Sequence, residues 1–281
     1  MTRYPVTYSI LALNLGLHGF FYALVLSDVS NARLVFSWQL KFGLIPAEFW
    51  GDGRWWQPFT APFLHMIFLY LTPAGEFINN VPPRLSDILT SFASLSLLHV
   101  GVNMLGVWSL GRPLEAILGQ GRFLILYLVS ALGGSLLALL LDPDLARPAI
   151  GASGALLGLL GALGVFFPNS RLLIFFIPMK ARTALLGIAL GSAFLHLTDS
   201  LNFISHLGHL GGLLSGYAFV RLLSARRFRL HGADRESSGE EISILRKEAI
   251  RAGTDEKDEN LRYDPISGRY VSAGSGNIRS G

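Results

Sequence analysis

Apolar runs of about twenty residues recur along the first 223 positions of this 281-residue chain, and each is closed by proline, glycine or charge. At 1.5 Å of rise per residue, such a run spans the roughly 30 Å hydrocarbon layer of a bilayer. The runs fall at about 8–27, 95–117, 121–141, 149–167, 182–200 and 203–223. The pattern predicts an all-α polytopic membrane protein with six transmembrane helices. Composition agrees: 51% of residues are hydrophobic and only 15% charged, with a mean hydropathy of +0.46, too apolar for an ordinary soluble domain.

Residues 1–27 form the first span, and no small-residue cleavage site or arginine-rich transit segment accompanies it. The segment 28–94 contains apolar stretches, but Gly51-Asp52-Gly53, Pro58, Pro62, Pro73 and Pro82-Pro83 interrupt them. It reads as a long, partly embedded loop between helices 1 and 2. Residues 95–223 form the helical core. From 224 to 281 the chain turns polar, which predicts a disordered tail, with a short amphipathic helix over 240–252 as a weaker reading. In a six-span arrangement, counting as far as Arg229, ten Lys and Arg lie on the side of the two termini and five on the other, which places both termini on the cytosolic side or its equivalent.

No cysteine is present, so disulfides, thiolate metal sites and cysteine nucleophiles are excluded. The net charge of +4 is modest and its basic residues flank apolar runs, which argues against nucleic acid as a partner. HExxH is absent, and His206 and His209 have no carboxylate nearby in sequence, so no metal or other cofactor is expected. Asp142 and Asp144 flank Pro143 and read as loop acids rather than a catalytic aspartate pair.

Ionisable and polar side chains inside apolar spans are costly and mark functional positions. His99 and Asn103 lie in the second run, Ser153 in the fourth, and His206 and His209 in the sixth. Even-numbered spans run in one direction, so His99, Ser153 and His209 share a depth near the membrane face opposite the termini. A hydroxyl and an imidazole in one layer can form a nucleophile and its base. Asn103, His99 and the backbone N–H of Ser153 could supply donors to an oxyanion. Gly151 and Gly154 in one helix, and Gly212 and Gly216 in another, permit close helix approach. Packing alone would explain Ser153 about as well as catalysis, and spacing does not choose between His206 and His209. No Asp or Glu lies in the apolar body of these runs, so a Ser-His dyad is the available chemistry.

These residues form motifs. Gly151-Ala152-Ser153-Gly154, His99-x-x-x-Asn103 and His209-Leu-Gly-Gly212-x-x-x-Gly216, in that arrangement on three helices, resemble the rhomboid intramembrane serine proteases over about residues 55–223. Ile117-Leu-Gly-Gln120, Ile150 to Gly154 and Arg171 to Pro178 look most like the mitochondrial presenilin-associated rhomboid-like branch. The resemblance implies Ser153 as nucleophile, His209 as base, and His99, Asn103 and the Ser153 N–H as oxyanion donors. It also implies an intramembrane serine endopeptidase acting on single-span membrane proteins within the lipid bilayer, in the mitochondrial inner membrane. The sequence departs from the family pattern at Gln57, where an arginine is usual, and at Ser94, where a histidine often precedes HxxxN by five residues. His65 looks like that histidine displaced by an insertion over about 66–94. The insertion keeps a second reading open, a catalytically impaired pseudoprotease that binds membrane clients. A small polytopic transporter is disfavoured, because its polar groups would spread through the midplane.

Overall fold

The computed structural model describes residues 3–28, 31–65, 93–174, 177–198, 205–230, 261–264 and 269–272. The long helices are α1 (Pro5–Ser27), α5 (Ala93–Leu118), α6 (Gln120–Leu141), α7 (Ser153–Phe166), α8 (Ala181–Leu197) and α9 (His206–Leu230). Shorter helices α2 (Asn31–Phe42), α3 (Pro46–Gly51) and α4 (Gln57–Thr60) lie between α1 and α5, followed by a 3-10 turn over Ala61–Phe63. Among the described residues, α1 and α6 are long and apolar enough to cross a membrane by length and composition; α7 and α8 are apolar but shorter.

Helix α9 packs against both α6 and α7, and α1 packs on α5. The main core gathers Val107 and Leu114 of α5, Phe123 and Tyr127 of α6, and Leu159 of α7. The outward faces keep large apolar side chains, including Leu105, Leu136, Leu190 and Phe194. A soluble protein would bury such a set. Facing lipid, it costs nothing.

Several expectations are corrected. The expected run 149–167 becomes a helix only from Ser153, because Leu44 and Ala149 form an antiparallel β-bridge and Gly151 turns at φ +122°. That dihedral lies where side chains other than glycine are strained. The run 203–223 continues as α9 to Leu230, so its polar last turn belongs to the helix and the core does not stop at 223. The loop 31–65 is largely helical in short pieces. Pro46 and Pro58 sit in first turns, where the missing N–H is harmless, and the short runs cannot extend across a bilayer.

Two short hairpins accompany the all-α core that the sequence predicts. Arg171–Ile174 (β1) pairs antiparallel with Ile177–Lys180 (β2), a short apolar stretch with β-branched Ile174 and Ile177. In the tail, where disorder was expected, Leu261–Asp264 (β3) pairs with Arg269–Ser272 (β4). Leu-Arg-Tyr-Asp alternates in the period of a strand, and Tyr270 and Val271 are residue types that favour one. The suggested insertion, apart from its last two residues in α5, and the suggested helix over 240–252 lie outside the described residues.

One acid at the polar end of the second run has a structural use. Glu115 is buried near the end of α5 and accepts from Val6 N (3.0 Å), Thr7 N (2.8 Å) and Thr7 Oγ1 (2.6 Å). The first N–H groups of a helix have no partner within it, and the helix dipole favours an anion there. A side chain of α5 therefore caps α1 from more than a hundred residues away. Glu115→Ala is expected to lower stability in detergent by about 2–4 kcal/mol through stranded donors, and Glu115→Gln by less. Thermal unfolding of the purified protein measures both; equal stability of Glu115→Ala and wild type would refute the cap.

Candidate active site

Ser153 is the first residue of α7 and His209 lies in the first turn of α9. Their positions are 56 residues apart in sequence, yet His209 Nε2 and Ser153 Oγ stand 2.8 Å apart. That is hydrogen-bond distance for a hydroxyl giving its proton to an imidazole.

The close approach comes from missing side chains. A Cβ built on Gly212 would fall on the backbone of Gly154, and one on Gly216 would fall on Gly158. At Gly154 it would come to 3.1 Å from the Gly208 carbonyl oxygen. Helices α7 and α9 thus touch backbone to backbone directly beneath the Ser-His pair. Of the two histidines in the sixth apolar run, His209 meets Ser153, while His206 is buried at the first position of α9.

The start of α7 also defines the electrostatics. Ala152 precedes the helix with no side-chain cap, so the N–H groups of its first turn have no intrahelical partner and lie at the Ser153 end. His99 approaches from α5. A Cβ on Gly151 would lie 3.0 Å from His99 Nε2 and 3.9 Å from Ser153 Oγ, so both atoms converge on the bare Gly151 turn. Asn103 is buried, and its Nδ2 donates to the His99 carbonyl oxygen at 2.8 Å. One of its amide hydrogens is therefore engaged along the helix and the other is left over.

A pocket opens above the pair, lined by Ser153, His209, Gly151, Ser135, Ser205 and Pro62 among others. Ser135 and Ser205 were not singled out in the sequence. Ser205 carried a readable signal, a serine just before an apolar run, and its Oγ accepts from Gly208 N at 3.3 Å as a helix cap. Ser135 carried none, since a serine in an apolar helix reads as packing.

The segment 31–65 braces this pocket. Gln57, at the position where arginine was expected, is fully buried, and its Oε1 accepts from Ile45 N at 3.0 Å. Gly151 N donates to the Ala61 carbonyl oxygen at 3.0 Å, which ties the turn before Ser153 to the loop. Gln57 therefore staples the loop internally. Trp50, Trp55 and Phe59 remain exposed on its outer side, aromatic groups of the kind that sit at a bilayer interface.

Residues 84–226, half of the chain and the part that holds His99, Asn103, Ser153 and His209, match the rhomboid domain. This chain belongs to the rhomboid family. The rhomboid is 36% identical over 187 residues to rhomboid protein 1, mitochondrial, of Saccharomyces cerevisiae, covering 63% of this chain and 52% of that protein. To the human presenilin-associated rhomboid-like protein, mitochondrial, it is 34% identical over 139 residues, 47% of this chain and 36% of the relative. It is 28% identical over 179 residues to the rhomboid protease GluP of Bacillus subtilis, 63% of this chain and 28% of that one. The chain spans about half or less of the length of these curated relatives. It is an integral membrane protein of the branch whose named members are mitochondrial.

Proposed function

We propose that this rhomboid is an intramembrane serine endopeptidase of the mitochondrial inner membrane, with six spans and with Ser153 and His209 as its catalytic dyad. The observation that carries the reading is the 2.8 Å separation of Ser153 Oγ and His209 Nε2. Both termini lie on the side richer in Lys and Arg, and the dyad sits toward the opposite face.

His209 takes the Ser153 proton as Oγ attacks the scissile carbonyl. Negative charge then develops on the carbonyl oxygen, beside the free first-turn N–H groups of α7, His99 Nε2 and the second amide hydrogen of Asn103. His209 returns its proton to the leaving amine, leaving an acyl group on Ser153. Water, deprotonated by His209, hydrolyses that ester and restores the serine. A peptide bond inside a helix is closed to attack, so substrates are single-span membrane proteins whose helix is weakened by Gly, Ala or Ser near the cut. Entry between α8 and the 31–65 segment brings such a segment to the open pocket.

A fluorophosphonate tests the reactive serine without any knowledge of the substrate. The purified wild-type protein in detergent is expected to be labelled covalently and Ser153→Ala to be blank, with His209→Ala slowed at least a hundredfold, roughly the contribution of a positioned general base. An unlabelled wild type, or labelling that survives Ser153→Ala, would sink the reading and favour a client-binding pseudoprotease.

A further inference from the structure

Behind the oxyanion side of the site, three segments far apart in sequence each contribute an imidazole to one buried column. His18 of α1 meets His65, just after the 3-10 turn, edge to face at 6.3 Å between ring centres and 89° between planes. His65 in turn lies 5.2 Å from His99 of α5, at 56°. His18 is 4% exposed and His65 is 2% exposed. His65 is fixed from its backbone, because Gln39 Nε2 donates to its carbonyl oxygen at 2.9 Å. His18 Nε2 stands 3.4 Å from Ser96 Oγ, one turn before His99 on the same helix.

The ring nitrogens have nowhere to go. His18 Nδ1, both nitrogens of His65 and His99 Nδ1 find no hydrogen-bond partner among the described residues. Buried polar groups are nearly always satisfied, and a cluster of unsatisfied ones points to a shared ordered water or a functional role. Among the described residues no group of three or more His, Asp or Glu is placed to hold a metal ion. Apolar side chains would pack this space at no such cost, so stability does not explain three histidines here.

The proposed chemistry supplies a reason. Only one nitrogen of a neutral imidazole carries a proton, and the hydrogen bond made by the other nitrogen decides which. To donate from Nε2 to an oxyanion, His99 must hold its proton on Nε2, and its Nδ1 must then accept a hydrogen bond. His65 is the polar side chain tilted against that ring. No direct hydrogen bond joins the two rings, since both His65 nitrogens and His99 Nδ1 lack a partner among the described residues, and a bridging water is the link that would satisfy them. We propose that His65, steadied by His18, is a positioning residue that delivers a hydrogen bond through water to His99 Nδ1 and so holds His99 in the tautomer that donates from Nε2. This rests on the assignment of His99 to the oxyanion site.

The test compares His65→Phe, which keeps ring shape and removes both nitrogens, with His65→Gln, which restores a donor and an acceptor. Nitrogen-15 spectra of histidine-labelled protein, recorded in the Ser153→Ala background, report the His99 tautomer without any need for turnover. The expected result is a pure Nε2–H form in the parent, a mixture or the opposite tautomer with His65→Phe, and recovery with His65→Gln. On a membrane substrate, His65→Phe in the active protein lowers kcat ten- to a hundredfold, a little less than the loss of an oxyanion donor itself, with KM changed less than twofold. An unchanged His99 tautomer in His65→Phe overturns the proposal, whatever happens to kcat. If the wild type neither cleaves nor takes up fluorophosphonate, the protease reading fails, while the tautomer comparison still decides the role of His65. Should His65→Phe fail to fold, His18→Phe gives a smaller tautomer change of the same sign.

Discussion

In liposomes carrying a single-span substrate with Gly and Ala near the cut, Ser153→Ala and His209→Ala should each slow cleavage by at least about ten-thousandfold. The double variant should be no slower than either single one. The two groups stand 2.8 Å apart and act as one unit: without the base the hydroxyl is a poor nucleophile at neutral pH, and without the hydroxyl the imidazole has no proton to take. Residual cleavage would come only from binding and from the donors around the carbonyl oxygen. Independent losses that multiply in the double variant, or a loss below about tenfold in either single one, would show that the pair is not a dyad. Initial rates over a range of enzyme concentrations separate the two outcomes.

Gly212→Val is the second large effect, and it touches neither member of the pair. A Cβ at this position overlaps the carbonyl group and Cα of Gly154, the residue after the nucleophile, and a backbone atom cannot rotate away. Helices α7 and α9 must separate, by an ångström or more. Displacement on that scale costs about a hundredfold in rate when it misaligns reacting groups, and overpacking of this kind costs about 1–3 kcal/mol in stability. The expected result is therefore activity reduced a hundredfold or more in protein that still folds in detergent. Gly216→Ala, which meets Gly158 one turn further along, should act in the same direction through α7. Gly187 on α8 is the control. Nothing lies within 4 Å of a Cβ built there, so Gly187→Ala should leave cleavage unchanged and raise stability by a few tenths to about 1 kcal/mol through helix propensity. Equal behaviour of Gly212→Val and Gly187→Ala would mean that the glycine contact is not what holds the site together.

Some of this architecture was legible because helices are written locally. The runs near 8–27, 95–117, 121–141 and 182–200 lie within a few residues of α1, α5, α6 and α8, since apolar length and terminal proline, glycine or charge act over one helix at a time. The departures share one cause. The start of α7 at Ser153 depends on a β-bridge to Leu44, the short helices of 31–65 on docking against α6 and the Gly151 turn, and the use of Glu115 on where α1 ends. Each of those partners is remote in sequence. Hydropathy carries no record of them.

By itself the sequence determined the chemistry on offer: no thiol, no metal motif, a serine in Gly151-Ala152-Ser153-Gly154, and histidines and an asparagine in runs that should hold only apolar side chains. Those are matters of residue type and spacing, which a linear reading carries. Spacing left His206 and His209 open and the motif resemblance pointed to His209; tertiary structure decided its 2.8 Å approach to the serine, where the helix bearing that serine begins, and that His18 and His65 stand behind His99. Contacts across tens of residues are set by how closely backbones can approach. Here that approach depends on the absence of a few Cβ atoms at Gly154, Gly212 and Gly216, which has meaning only once the facing helix is in place.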